Sequence, residues 1–356
     1  MDPDVYLIAE AGVNHNGSPE RALELVDVAA DCGADAVKFQ AFDASELATA
    51  DAALATYQAE NLGADDGQLA MLRTLELGPD AMRAVRDRCA ARGIAFLCTA
   101  FDLASLDLVL ELGVDLVKTG SGDLTFAPLL HRAARSGLPL VVSTGMATLG
   151  DVEDALAVVA HGLVRDGAPT GFADCEAAYA SAEGRAALAE RVTLLHCVSD
   201  YPAPPESVNL AAMDVLRDAF GLRVGFSDHT LGTAVAIAAV GRGATTIEKH
   251  FTLDRTLEGP DHAASLEPAE LRALVAGCRD AARARGVARK QPQPSERETR
   301  ERVRRSIVAA RDVAAGQALG PDDLACKRPA GGVSPMRFWD VAGTPAPRDL
   351  RRDERL

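Results

Sequence analysis

Eight short apolar runs, each the length of a β-strand and most of them followed by a helical pattern, recur through the chain up to His250. They are Val5–Glu10, Ala36–Gln40, Ala95–Thr99, Leu116–Gly120, Leu140–Thr144, Val192–Cys197, Arg223–Asp228 and Thr245–His250. The first shows the logic. VYLIAE runs into the Gly-punctuated turn AGVNHNGS, Ser18 caps a helix with Pro19 at its first position, and Ala22, Leu25, Val26 and Ala29 recur at helical spacing. Further helical patterns lie around Asp80–Arg92, Ala104–Leu112, Pro128–Ser136, Asp151–His161, Leu210–Phe220 and Gly232–Gly241, and Glu267–Arg285 closes the series. Eight βα units predict a TIM (β/α)8 barrel, an α/β fold usually built from about 250 residues and more with insertions. A doubly wound sheet competes, but it would divide the strand ends between two sides of a switch point. Here polar residues follow the end of nearly every strand.

Two segments exceed a minimal barrel. Asp43–Gly78 is a long polar loop after the second strand, expected over the site, and Gly162–Arg191 reads as a peripheral helical insertion. The predicted division is a barrel over 1–287, a charged, Pro-containing linker over 288–304, and a small β-rich domain over 305–356. In that last piece Ser306–Arg311, Leu319, Leu324, Lys327–Pro329 and Phe338–Val341 read as short strands or turns. A piece this small is expected to dock on something.

Charge and cysteine usage narrow the function classes. A formal net charge of −15 argues against nucleic acid or an anionic membrane as partner. No apolar run reaches the ~18–20 residues of a membrane span and the first residues lack a signal-peptide layout, so a cytoplasmic protein is expected. The seven cysteines form no C-x-x-C pair and read as reduced thiols without a chemical role. Of the 37 basic residues only five are lysines, and Lys38, Lys118 and Lys249 all fall in strands. Asparagine is as scarce, with Asn14, Asn16, Asn61 and Asn209 alone.

Side chains alternate faces along a strand, so the inward set can be read from Glu10. It comprises Glu10, Lys38, Gln40, Thr99, Lys118, Ser227, His229, Glu248 and His250, with Lys249 on the opposite face as a structural residue. His229 and His250 close two strands joined by a helical crossover, which brings both imidazoles to one end of the sheet and outlines a divalent-metal site. Two ammonium groups in a barrel mouth need anionic partners. The turns Gly120-Ser121-Gly122 and Ser143-Thr144-Gly145 add hydroxyls and close backbone N–H groups, so the ensemble reads as a cradle for phosphate or carboxylate. A Schiff-base role for Lys118 is the rival, made redundant by the two histidines.

Several stretches carry a resemblance: IAEAGVNHNGS, VKFQAF, KTGSGDLT, STGMAT, LLHCVSDYPAP, GFSDHT, IEKHFTLDRTLEGPDHAAS and CKRPAGGVSPM. In this order they resemble the signatures of the sialic acid synthase family, N-acetylneuraminate synthase and its legionaminic and pseudaminic acid relatives. The resemblance implies a TIM barrel followed by a small SAF (antifreeze-like) domain. It implies condensation of phosphoenolpyruvate with N-acetylmannosamine or a related 2-acetamido sugar, giving N-acetylneuraminate or a related nonulosonic acid and phosphate by C–O cleavage. The alternative acceptor is a 2,4-diacetamido-trideoxyhexose.

Carried over by position, the resemblance implies His229 and His250 as ligands of Mn2+, with Mg2+ or Co2+ as substitutes. Lys38, Thr99, Lys118, Ser121, Ser143, Ser199 and Ser227 fall where phosphoenolpyruvate is held, and Gln40, Asn61, Tyr201 and Asp261 around the sugar. Glu10, Asp123 and Lys118 are the implied catalytic groups. Arg328 matches an arginine that domain-swapped homodimers of the family insert into the partner's site, toward the N-acetyl group. Three departures stand out: Asp123 where many members have glutamate, Ala100 in place of the usual proline, and Ser199 at a variable position. Condensation onto a phosphorylated aldose is a second enzyme reading, disfavoured by the neutral Gln40, Asn61 and Tyr201. A carbohydrate-binding or ice-binding module is the non-enzyme reading, and it has no use for the inward lysines and histidines.

Overall fold

The computed structural model describes residues 5–54 and 67–356. They form two compact units, Met1–Gly286 and Val287–Leu356. In the first, eight parallel strands close in sequence order into a barrel: β1 (Tyr6–Gly12), β2 (Ala36–Ala41), β3 (Ala95–Ala100), β4 (Val117–Thr119), β5 (Leu140–Ser143), β6 (Val192–Cys197), β7 (Arg223–Asp228) and β8 (Thr246–His250). β4 is shorter than the sequence predicts, because the chain leaves it at Gly120 for a helical turn over Ser121–Asp123.

Register sets the chemistry of the mouth. Glu10 pairs with Lys38 on one side and with His250 on the other, Gln40 with Thr99, Thr99 with Lys118, and Ser227 with Glu248. One layer lower, Ile8, Ala36 and Leu97 form a small apolar plug. The outward faces supply the main core. Phe39, Leu194, Phe226 and Ile247 are buried with helix residues such as Leu25, Met82, Leu129 and Leu156. Burial of this kind is worth roughly 1.5–3 kcal/mol per large side chain.

The insertion over 162–191 is helical as expected, whereas Asp43–Gly78 differs from a bare polar loop. Residues 162–191 hold helices Phe172–Ala180 and Ala182–Arg191, packed on helix Leu149–Val164. The described parts of Asp43–Gly78 contain helices Ala44–Leu47 and Gln68–Leu75, whose Ala44, Leu72 and Leu75 form an apolar cluster with Val13 and Phe42.

The second unit has its own core of Ile307, Ala309, Val313, Leu319, Leu324, Ala346 and Leu350 around antiparallel strands β9 (Ser306–Ala309) and β10 (Leu324–Lys327). One expectation is corrected there: the charged stretch before it holds a helix, Arg297–Val303, braced by a Glu298–Arg302 pair one turn apart, while Phe338–Val341, read as a strand or turn, is a helical turn.

Candidate active site

A cavity of about 630 Å3 opens at the C-terminal ends of the barrel strands. Its floor is a quartet of buried charges. Lys38 Nζ lies 2.8 Å from Glu10 Oε2 and donates to Thr99 Oγ1 at 2.9 Å. Lys118 Nζ donates to Ser143 Oγ at 2.7 Å and to the Thr119 carbonyl at 2.9 Å. Glu248 joins them, 3.7 Å from each ammonium, and accepts from Ser227 Oγ at 2.9 Å. Glu248 was read as inward but given no role in sequence; here it bridges the two lysines.

The charges tune one another. Burial would raise the Glu248 carboxyl, but Lys118 and Lys38 overturn that and hold it well below the usual range. Glu10 moves the other way: burial dominates and raises it, against the pull of Lys38. Lys38 stays charged because Glu10 and Glu248 outweigh its burial, whereas burial wins at Lys118 and lowers it. With every group ionised, two positive and two negative charges leave the floor neutral.

The wall above Lys118 suits anionic oxygens. Gly145 donates its N–H to Ser121 Oγ at 3.0 Å, and Ser121 Oγ lies 3.0 Å from Cys197 Sγ. A Cβ at Gly145 would stand 2.6 Å from Ser199 Oγ and 2.8 Å from Ser121 Oγ, so only glycine leaves this hydroxyl-lined niche open. The next residue, Met146, takes φ 65°, a conformation that long side chains seldom adopt and that clusters at functional sites. Cys197 belongs to this wall although sequence reasoning set the thiols aside. Period-2 alternation from Thr193 through Leu195 was the signal that could have found it.

The opposite corner holds the histidines. His229 Nδ1 donates to the Val198 carbonyl at 2.5 Å, which fixes the tautomer and leaves the Nε2 lone pair free, 3.4 Å from Ser227 Oγ. The two imidazole centroids are 5.6 Å apart, and Tyr201 stacks on His229 at 4.0 Å. Burial pushes His229 down to about 4 and His250 well below its ordinary value, so both are neutral near pH 7. Gly12, at the β1 bulge with φ 53°, lets Gln40, Glu10 and His250 converge: a Cβ there would meet all three at 3.3 Å.

Among the described residues no group of three His, Cys, Asp or Glu side chains is gathered for a metal. His229 and His250 nonetheless fit a divalent cation as two ligands of an open site. His250 Nδ1 is buried without a hydrogen bond, His229 has the backbone-anchored tautomer of a ligand, and burial raises the carboxyls of Glu10 and of Asp261, the latter to about 6, against the pull of Lys38.

Of the residues predicted from sequence, Glu10, Lys38, Gln40, Thr99, Lys118 and Ser121 line this cavity, as do Asp123, Ser143, Ser199, Tyr201, Ser227 and both histidines. Asp261 stands beside it instead, its carboxylate 3.7 Å from His250 Nδ1. Asn61 lies outside the described residues, and Arg328 belongs to the second unit. Sequence reasoning missed an apolar side of the cavity, made by Phe42, Leu47, Leu72 and Phe101. A second, larger cavity of about 870 Å3 sits among the outer helices near His131 and Phe172. It lacks the converging buried charges that mark the barrel mouth.

The sequence matches the NeuB family over residues 25–290 and the SAF domain over residues 304–356. The N,N'-diacetyllegionaminic acid synthase of Campylobacter jejuni is 42% identical, covering 98% of this chain and 97% of its own length. The enzyme of the same name from Legionella pneumophila is 41% identical over 95% of this chain and 89% of its own. The crystal structure of N-acetylneuraminic acid (sialic acid) synthetase from Leptospira borgpetersenii superposes with a TM-score of 0.66 at 33% identity, covering 83% of this chain and 90% of that one.

Proposed function

The chain belongs to the NeuB family of sialic acid synthases, and on that premise we propose that its barrel condenses phosphoenolpyruvate with a 2,4-diacetamido-trideoxyhexose to form a legionaminic-type nonulosonic acid and phosphate. The observation that carries the reading is the buried Lys38–Glu10–Glu248–Lys118 floor beside two neutral, converging histidines. A trianionic substrate and an aldehyde acceptor need those two environments in contact. The acceptor choice rests on the identity with two legionaminic acid synthases and on the apolar side of Phe42, Leu47, Leu72 and Phe101, which suits acetyl and C6 methyl groups better than a hydroxymethyl. The only ammonium or guanidinium groups among the described lining residues are Lys38 and Lys118, both at the floor, and residues 55–66 contain no Lys or Arg. An unphosphorylated sugar fits that distribution.

In the reaction, carbon 3 of phosphoenolpyruvate bonds to the aldehyde carbon of the open-chain sugar, leaving positive charge at carbon 2. Water adds there, and the tetrahedral centre loses phosphate as the C–O bond breaks. Lys38 and Lys118 bind the substrate's phosphate and carboxylate, while Ser121, Ser143 and the Gly145 niche orient the phosphate oxygens. A divalent cation, held by His229 and His250 when bound, would supply Lewis-acid polarisation of the aldehyde oxygen. Glu10, hydrogen-bonded by Gln40 at 3.2 Å, sits where a proton can be given to the new alkoxide.

Asp123 takes the proton of the attacking water. Burial raises its carboxyl to about 7, with Lys118 pulling back, and its Oδ2 is buried without a partner. Because the ionised form is the base, activity should fall as pH drops below about 7. Asp123→Asn should lower kcat by about a hundredfold or more and remove that acid limb. Stability has the opposite sign. A raised carboxyl pKa favours the protonated fold, so this contribution is lost as pH rises through about 7, by up to about 4 kcal/mol. The variant should therefore melt higher than the parent at pH 8 and alike at pH 4. Unchanged turnover would sink the assignment.

The function itself is tested by phosphate release from phosphoenolpyruvate with Mn2+, with and without chelator, using the diacetamido sugar and N-acetylmannosamine separately. Chelator-sensitive turnover is expected with the first, and at least about tenfold lower kcat/KM with the second, as apolar pockets discriminate by ~10–200-fold. The reverse preference would reassign the acceptor, and no turnover with either would overturn the synthase reading.

A further inference from the structure

Two scarce asparagines and a buried serine outside the cavity converge behind its metal-ligand corner. Asn14, in the turn after β1, is buried, and its amide makes two donations: to the Phe251 carbonyl at 2.8 Å and to Ser265 Oγ at 2.9 Å. Ser265 Oγ passes its own proton to the Asp261 carbonyl at 2.7 Å. One amide thus fastens the residue after His250 and, through one hydroxyl, the backbone of the carboxylate that lies 3.7 Å from the His250 ring. The strand ladder ends here, with Glu10 opposite His250 as the last β1–β8 pair, so the Phe251 carbonyl would otherwise be a buried acceptor without a partner.

A second strut runs in parallel. Asn16 Nδ2 donates to the Glu258 carbonyl at 2.6 Å, so its Oδ1 faces His262 Nε2 at 3.1 Å and must accept from it. The other imidazole nitrogen then accepts from Thr252 Oγ1 at 2.7 Å. The two struts tie the β1 turn to the long β8 loop on both sides of Asp261.

We propose that Asn14 and Ser265 are positioning residues that set the His250–Asp261 pair, and through it the geometry of the cation and acceptor corner, without touching either ligand. This rests on the reading above that His250 serves a divalent cation. Residues one shell behind a ligand commonly change metal affinity by 10–100-fold. The side chains assigned to phosphoenolpyruvate hang from β2 to β5, from the turn after β6 and from β7, none of which either strut reaches, so the two substrates should respond differently.

The test uses Ser265→Ala, which removes one oxygen, and the near-isosteric Asn14→Asp, which replaces the donor facing the Phe251 carbonyl. Mn2+ affinity is measured on the full chain by calorimetry, alongside KM for each substrate and the melting temperature. The expected result is Mn2+ affinity weaker by about 10–100-fold and acceptor KM raised by a similar factor, with phosphoenolpyruvate KM within about twofold of the parent. Parent-like Mn2+ affinity and acceptor KM in a folded variant would overturn the proposal. So would an equal rise in both KM values with a lowered melting temperature, the signature of general loosening. A parent protein that binds no Mn2+ overturns the cation reading first, and the proposal with it.

Discussion

Lys118→Met is expected to abolish turnover, by at least about a thousandfold, while leaving a folded barrel of reduced stability. The side chain fits the same space but cannot donate to Ser143 or balance Glu248. Lys118 is the largest of the forces holding Glu248 ionised. Its loss leaves a buried carboxylate with Lys38, itself shared with Glu10, as its main counter-charge. Breaking a buried charge network in this way typically costs about 3–5 kcal/mol. The pH dependence identifies the cause. A depressed carboxyl pKa contributes stability above its unfolded value, about 4.5, and loses it as pH falls further. The deficit of the variant should thus be largest at neutral pH and shrink in acid, as read by urea unfolding at pH 7 and pH 4. A variant keeping a tenth of the parent's turnover would remove Lys118 from the machinery. The parent should also form no borohydride-reducible adduct with either substrate, since the role proposed for Lys118 is to bind an anion and not to form an imine.

His250→Ala and His229→Ala should each weaken Mn2+ binding by at least about a hundredfold and reduce turnover to the level of the chelated parent. Calorimetry reads the binding without reference to activity. Because burial keeps His229 neutral down to about pH 4 and holds His250 well below its ordinary value, protons do not compete for either near neutrality. The decline in Mn2+ affinity between pH 7.5 and 5.5 should come from the raised carboxyls of Glu10 and Asp261, and it should persist in Asp123→Asn. The same burial has a cost without metal. Histidines depressed below their unfolded value of about 6.5 contribute stability above it and lose it as pH falls toward about 4, so the metal-free protein should melt progressively lower across that range. Binding by either alanine variant at parental affinity would dismiss the two-histidine site.

Much of this site was legible because the side-chain period of a strand is two, which leaves no freedom once one inward residue is chosen. Lys38, Thr99, Lys118, Ser227, His229 and His250 follow from Glu10 by counting. The same count on β6 reaches Cys197, overlooked because the thiols were judged by their spacing rather than their facing. The Asp43–Gly78 insertion was harder. Its composition reads as polar, yet Leu47 and Leu72 turn inward with Phe42 and Phe101, a grouping that depends on two short helices folding back over the strand ends. Asp261, expected around the sugar, lies with its carboxylate 3.7 Å from His250 Nδ1, in the long loop after β8 whose backbone Asn14 and Asn16 hydrogen-bond.

The sequence by itself determined the eightfold βα order, the inward residues of each strand, the pairing of two histidines at one end and the extra domain, since periodicity, caps and motifs are local in the chain. The tertiary structure alone decided which inward residues share charge. Glu10 and Glu248, both carboxylates on inward faces, are driven in opposite directions by burial and by their distances to Lys38 and Lys118. Barrel closure sets those distances by bringing β8 against β1, and electrostatic energy varies with separation and burial, neither of which is written in the order of residues along the chain.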